Sequence, residues 1–247
     1  MSRLLPRSAS GRAWSLIALP VLLAATPVDP PASAQDPAEE LVRWWRFDEP
    51  GSDGALEEVT GQRDPLHGPA EHVAGVHGTA LKLDGFRTYV QREQHGIASP
   101  SEAFTVEAWM ALASYPWSWA PVVDSSEPGT SGFFLGVDPV GHVGFQIAAG
   151  GAWHELVTEG TIPLRTWIHL AAVFEPDRGI TVYVDGEPAA HTAVRGRHDP
   201  SPGGALTLGR SRVPRTWQEP QLTTEDATFF LDGLLDEVRI TRGARSP

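Results

Sequence analysis

The sequence predicts an all-β protein built as a two-sheet antiparallel β-sandwich. Three observations carry this. First, 25 Gly and 22 Pro are spread along 247 residues rather than pooled, and such regular punctuation suits many short strands and disfavours a helical bundle. Second, short apolar runs recur between turn signals, and no stretch of about a dozen residues holds a helical period. Third, Phe104, Val106, Ala108 and Met110 alternate with Thr105, Glu107, Trp109 and Ala111, as a half-buried strand requires. That many strands cannot lie in one flat sheet with an apolar face in water. Two packed sheets bury one face of each.

Taken in order, residues 1–34 read as a cleavable export leader. Arg3, Arg7 and Arg12 form a basic start, Trp14 to Ala25 is apolar, and Ala32-Ser33-Ala34 is a small-residue cleavage signature that makes Gln35 the first mature residue. The apolar run is too short for a membrane span, which needs about 20 residues, so the mature chain is expected to have no transmembrane segment. Residues 35–247 are expected to form one domain with its core between 41 and 240.

The first strand is expected over Ala38 to Arg46. Residues 50–78, rich in Gly, Pro and His, read as irregular. Further strands are expected at Ala80 to Leu83, Thr88 to Val90, Phe104 to Leu112, Pro121 to Asp124, Gly132 to Val137, His142 to Ala148 and Trp153 to Thr158. The remainder are Thr166 to Phe174, Ile180 to Val184, Ala205 to Leu208 and Leu234 to Arg239. Asp185-Gly186 is a two-residue hairpin signal.

Composition narrows the function. Removing the leader takes Arg3, Arg7, Arg12 and Asp29 from 19 basic and 31 acidic residues, moving the formal charge from −12 to −14. Such a balance repels phosphate backbones, so nucleic acid is not an expected partner. The absence of Cys excludes disulfides, thiolate metal sites and Cys nucleophiles. Cysteine-free export fits a bacterial periplasm or exterior, where stability rests on core packing.

Several segments then carry a family resemblance. They are Trp45-Arg46-Phe47-Asp48-Glu49, Gly78-Thr79-Ala80-Leu81-Lys82-Leu83-Asp84-Gly85 with Tyr89-Val90, and Phe104-Thr105-Val106-Glu107-Ala108-Trp109. Thr166 to Phe174, Tyr183-Val184-Asp185-Gly186, Leu206-Thr207-Leu208-Gly209 and Leu231 to Ile240 complete the set. In this order they resemble the laminin-G-like, concanavalin-A-like lectin/glucanase jelly-roll family, related to the pentraxins. The resemblance implies a jelly roll with strands from both chain ends side by side. It also implies a module that binds glycans, proteins or calcium, some relatives being polysaccharide-cleaving enzymes.

Two kinds of site are expected. The resemblance brings Asp48 towards Asp236, and with Asp84 and the Gly85 carbonyl these are candidate ligands of a structural Ca²⁺, a hard cation that takes six to eight oxygens. The competing reading is that Asp48 and Asp236 cap turns and Glu237 is a solvated edge residue. A pentraxin-style double-calcium site is not supported, because Arg210, Arg212 and Arg215 follow Leu-Thr-Leu-Gly where the resemblance calls for acids and a Gln. The second site is an aromatic surface. Tyr115, Trp117 and Trp119 crowd one loop, with Trp153 and Trp217 in others and Asp124 ahead of Ser125-Ser126. Aromatic faces suit sugar rings while nearby acids take hydroxyls, so Trp117, Trp119, Asp124, Trp153 and Trp217 are the ligand-binding candidates. Trp109 and Trp167 are read as filling the sandwich core or pinning long loops to it.

Catalysis is not expected. Glu107 is alone on its strand, and Asp236-Glu237 are adjacent and so point to opposite faces. His154-Glu155 starts like a zinc-protease helix, but Thr158 replaces the second His. His67, His72 and His77 recur every five residues, a spacing of neither helix nor strand, and read as loop histidines. The expectation is an exported, non-catalytic module for a glycan or an extracellular protein. The alternative is a polysaccharide hydrolase or lyase using dispersed acids such as Glu107, Asp124 and Glu155.

Overall fold

The computed structural model describes residues 40–49, 51, 54–93, 102–127, 129–201, 206–211 and 229–245. The strands in chain order are β1 (Glu40–Trp45), β2 (Ala55–Glu57), β3 (Gln62–Asp64), β4 (Leu66–His67), β5 (Glu71–Ala74) and β6 (Thr79–Asp84). They continue as β7 (Tyr89–Arg92), β8 (Phe104–Leu112), β9 (Ala120–Asp124), β10 (Phe133–Val137), β11 (His142–Ala149) and β12 (Ala152–Thr161). The last are β13 (Ile168–Glu175), β14 (Gly179–Val184), β15 (Glu187–Thr192), β16 (Leu206–Leu208) and β17 (Asp232–Arg242). Among the described residues there is no helix.

Two antiparallel sheets hold fifteen of these strands. The first runs β15-β14-β13-β8-β17-β6-β5, with β1 also paired to β17; the second runs β12-β11-β10-β9-β16-β7-β4. A β2–β3 hairpin stands apart. The expected sandwich is therefore what forms. Phe104, Val106, Ala108 and Met110 of β8 point inward with Leu170, Ala172 and Phe174 of β13, against Phe133, Leu135, Phe145 and Ile147 of the second sheet. Phe104 links the layers, its ring 5.2 Å from Phe133 and 5.7 Å from Phe174. Each such side chain contributes about 1.5–3 kcal/mol by leaving water. Asp185 (φ 51°) and Gly186 (φ 81°) make the left-handed two-residue turn that joins β14 to β15, the conformation the Asp-Gly pair favours.

The two chain ends meet as the resemblance implies: Trp45 of β1 pairs with Val238 of β17. One edge of β17 is served by β6 along residues 232–235 and by β1 along 238–242. At the handover the register with β8 shifts between Asp236 and Arg239, and Glu237 takes φ 51°. This bulge turns both Asp236 and Glu237 into buried residues.

Three expectations are corrected. Residues 50–78 are not irregular: they contain β2 to β5. These strands are two to four residues long, too short to show alternation; β4 and β5 pair with β7 and β6, and polar side chains hold the β2–β3 hairpin. Arg92 donates to Asp64 (3.0 Å) and Glu57 (3.3 Å), the Trp45 indole donates to Asp64 (2.8 Å), and all four residues are buried. The network fastens the β2–β3 hairpin to β1 and β7. Second, the Asp185-Gly186 hairpin forms as expected, but its returning edge strand, β15, is absent from the expected strands because Pro188, Ala189 and Ala190 carry little apolar signal. Third, Trp109 and Trp167 are not core. They lie half-buried on the outward face of the first sheet, because Trp109 falls on the opposite parity of β8 from Phe104 and Met110.

Candidate functional site

The outward face of the second sheet carries a row of mostly polar residues. Cross-strand pairing places Gln91, Thr207, Asp124, Phe134, Gln146 and Glu155 side by side, one from each of β7, β16, β9, β10, β11 and β12. Paired residues of an antiparallel sheet share a face. Asp124 nonetheless is buried: its Oδ1 accepts from the Ser126 amide (3.0 Å) and hydroxyl (2.6 Å), and its Oδ2 from the Ser211 hydroxyl (3.2 Å). The Thr207 hydroxyl donates to the Arg210 carbonyl (2.6 Å). Asp124 thus organises the ends of β9 and β16, with its acceptor sites largely taken. Trp153 sits opposite Ala148 on this face and is half-buried.

Loop 113–119 edges the same face. Trp119 packs over Gly144, where a Cβ would strike its ring, and meets Phe134 edge-on at 6.1 Å. Gly144 leaves the flat floor that the indole needs. Tyr115 lies against Gly141 and its hydroxyl donates to the Ile162 carbonyl (2.7 Å). Between these two anchors Trp117 projects outward, 87% exposed. The structure therefore separates the sequence candidates. Trp117 is free to touch a ligand, Trp119 and Asp124 are buried supports, Trp153 is intermediate, and Trp217 lies outside the described residues.

The acids at the junction of the chain ends were the calcium candidates. Asp48 Oδ1 accepts from the Thr79 amide (3.0 Å) and its Oδ2 pairs with Arg46 (2.6 Å). Asp236 Oδ2 accepts from the amides of Val76 (2.8 Å) and His77 (3.0 Å). Both acids thus cap the one turn between β5 and β6. Asp84 and Gly85 stand at the far end of β6, five residues or about 16 Å away at strand rise. The Asp84 Oδ1 is occupied by the amides of Phe86, Arg87 and Thr88. The four proposed ligands therefore do not converge, and among the described residues no three His, Asp or Glu side chains gather as a metal set. The donors fall short of the six to eight oxygens that calcium takes. Burial pushes the Asp236 carboxyl up, offset only in part by the His77 and Val76 amides, and its Oδ1 has no hydrogen-bond partner.

Glu237, expected as a solvated edge residue, is buried. It accepts from the Trp44 indole (2.8 Å), pairs with Arg239 and lies 3.6 Å from Arg46. Arg239 stacks on Trp44 at 4.8 Å. Next to it on the first sheet's outward face is Glu107, also buried, 3.5 Å from His169 and 3.7 Å from both Arg239 and Arg245. Burial pushes the Glu107 carboxyl up, but His169 and the two arginines more than offset that and hold it below its ordinary value. The sequence signal for this cluster was faint. Only the parity of Glu107 on β8 placed it outward, and its partners come from two distant segments, β13 and the end of the chain from β17 to Arg245. Further along this face a groove of about 230 Å³ is lined by Lys82, Ala111, Arg165, Trp167 and Leu234, among others.

With fold and geometry in place, the family model described as the concanavalin A-like lectin/glucanases superfamily matches residues 83–247. The chain belongs to that superfamily. Solved structures agree on the superfamily fold. Domain 4 of AbnA, a GH43 extracellular arabinanase from Geobacillus stearothermophilus solved with arabinotriose, is similar at a TM-score of 0.60 and 18% identity, over 83% of this chain and 94% of that one. The binding domain of Paraclostridial Mosquitocidal Protein 1 is similar at 0.60 and 13% identity, over 83% and 49%. The binding domain of botulinum neurotoxin DC in complex with SialylT gives 0.58 and 10%, over 83% and 48%. This superfamily member thus spans about half the length of the two toxin binding domains, and at such identities the likeness is one of fold. No curated protein sequence matches the chain.

Proposed function

We propose that the protein is an exported, non-catalytic glycan-binding module that meets its ligand through loop 113–119. The observation that carries this is Trp117: an indole 87% exposed on a loop fastened on either side by Tyr115 and Trp119. An indole held out by anchored neighbours offers its face for stacking, and a sugar ring's C–H face is a suitable partner for it. The arabinotriose-bound and SialylT-bound structures with this fold support a saccharide as that ligand. Export rests on the leader-like residues 1–34. Among the described residues no helix is long and apolar enough to cross a membrane.

The acid positions support the non-catalytic reading. Glu107 lies on the outward face of one sheet, Asp124 and Glu155 on that of the other, so no cleft joins all three. Asp124 and Glu155 are three strand spacings apart, about 14 Å between their backbones, against carboxyl separations of roughly 5–9.5 Å in glycoside hydrolysis.

The test is a glycan array followed by calorimetry, with and without chelator. Trp117→Ala is expected to weaken binding by about 2 kcal/mol, roughly 30-fold, with the melting temperature unchanged. Flat isotherms across neutral and acidic polysaccharides would remove the glycan reading and leave an extracellular protein as ligand. Release of reducing ends or unsaturated sugars would replace it with the hydrolase or lyase.

A further inference from the structure

Among the described residues six large hydrophobic side chains are exposed: Val59, Phe86, Tyr115, Trp117, Val140 and Leu164. Five of them share one pole of the sandwich although they come from four different loops. Phe86 tops the β6–β7 turn, and Gly85 beneath it donates to the Leu231 carbonyl (3.2 Å) just before β17. Ala113, which opens the loop bearing Tyr115 and Trp117, donates to the Asp232 carbonyl (2.9 Å). The Ser114 hydroxyl donates to the Asp232 carboxylate (2.6 Å). The β10–β11 turn bearing Val140 touches Tyr115 through Gly141. Leu164 precedes Arg165, whose amide donates to the Leu112 carbonyl (2.7 Å). The sixth, Val59, is on the β2–β3 hairpin.

The turns that present these side chains are stiff. Asp84 accepts three amides from residues 86–88, and Asp138 accepts the amides of Val140 (2.9 Å) and His142 (2.8 Å). The tips at Phe86 and Val140 therefore stand out by construction, not by fraying. Trp117 and Phe86, at 87% and 81% exposure, protrude from two different loops.

We propose that this pole rests on a lipid bilayer surface, inserting Phe86, Val140, Leu164 and the Tyr115–Trp117 loop into the headgroup boundary. Separate protruding tips suit a fluid layer that closes around each one, whereas a protein partner would offer its hot-spot residues a formed pocket. Aromatic rings are at home at headgroup depth. Charge fits one lipid class. The carboxylates of Asp84, Asp138, Asp185 and Asp232 accept hydrogen bonds from the pole's own turns or strand ends. Arg87, 73% exposed in its side chain although 3.4 Å from the Asp84 carboxylate, and the exposed Arg165 are the pole's cations among the described residues. Glu159 and Glu187 are exposed at the margin, and the chain is acidic as a whole. The matching surface is therefore zwitterionic, not anionic. This holds whether or not Trp117 also binds a soluble glycan.

The chain has no Cys, so one introduced thiol can carry an environment-sensitive dye. Phe86→Cys and Val59→Cys, each labelled in the purified protein, are mixed with phosphatidylcholine vesicles. The Phe86 label is expected to brighten and shift to the blue while the Val59 label stays silent. The pair Phe86→Ser and Leu164→Ser is expected to lower vesicle partition at least about tenfold, with soluble-glycan affinity unchanged. Two silent labels, or equal shifts at both sites, would overturn the proposal. So would a Phe86 shift that needs only more protein and no vesicle, which would assign the pole to a second copy. Binding confined to vesicles rich in phosphatidylglycerol would refute the zwitterionic assignment.

Discussion

Arg92→Met tests how the short strands before the main sheets are held. The guanidinium donates to Asp64, Glu57, the Thr60 hydroxyl (3.3 Å) and the Gln62 side-chain oxygen (2.9 Å). Met replaces most of its volume but none of these bonds. Two buried carboxylates then lose their cation, and breaking a buried pair from one side costs about 3–5 kcal/mol, a large share of the roughly 5–15 kcal/mol that holds a domain together. The pH dependence gives a second reading. Burial already lifts the Asp64 carboxyl above its ordinary 3.8, offset only in part by the Trp45 indole and Arg92. A group raised in the folded state contributes stability below its unfolded pKa and loses it as pH rises through the folded one. Removing Arg92 raises Asp64 further, so the variant regains stability as pH falls through the raised folded pKa towards the ordinary 3.8. Burial also pushes Glu57 up, but the Thr60 hydroxyl and the Val59 and Trp44 amides more than offset this and hold it below 4.5. Its contribution persists above that value and fades only as pH falls through its lowered folded pKa. Urea unfolding followed by tryptophan fluorescence reads the difference, with the m-value unchanged. A loss under about 1 kcal/mol, or one that grows on acidification, would refute the account.

Other outcomes follow from particular contacts. Trp119→Ala should lose about 3–5 kcal/mol, the cost of emptying a buried aromatic site, while Trp117→Ala should stay within about 0.5 kcal/mol in the same melts; equal effects would mean the exposure difference is misplaced. The Asp84 carboxyl, exposed to some burial but held chiefly by the amides of Arg87, Thr88 and Phe86, should titrate at about 2 in a carbon-detected magnetic resonance titration. Its contribution to stability is then present above the ordinary 3.8 and is lost as pH falls towards about 2; a midpoint at the ordinary value would show a loose turn. Because amides and Arg46 occupy the acids at the strand handover, chelator should leave the melting temperature unchanged, and a drop would point to calcium ligands beyond those described.

Much of the fold was legible because its signals are local. The alternation on β8, the Asp185-Gly186 turn and the ordered motifs placed most long strands within a few residues. What escaped had no local signal. The β2–β3 hairpin is held by Arg92, Asp64 and Glu57, polar residues that a pattern reader assigns to the surface, and β4 and β5 by pairing with the distant β7 and β6. The site was legible in part: the aromatic loop stood out, but residue type alone gave Trp117 and Trp119 equal standing, and nothing in the sequence singled out Phe86.

The amino-acid order by itself determined that the chain makes two facing β-layers, since period-two apolar runs between turns have few other ways to leave water. Tertiary structure alone decided which polar groups are buried and which aromatics are left out. Glu237 meets the Trp44 indole across 193 positions of sequence, and Asp124 meets Ser211 across 87. The handover of β17's edge from β6 to β1 leaves Asp236 and Glu237 buried. Burial, pairing and exposure are properties of neighbours, and in an antiparallel sandwich most neighbours are far apart in the chain.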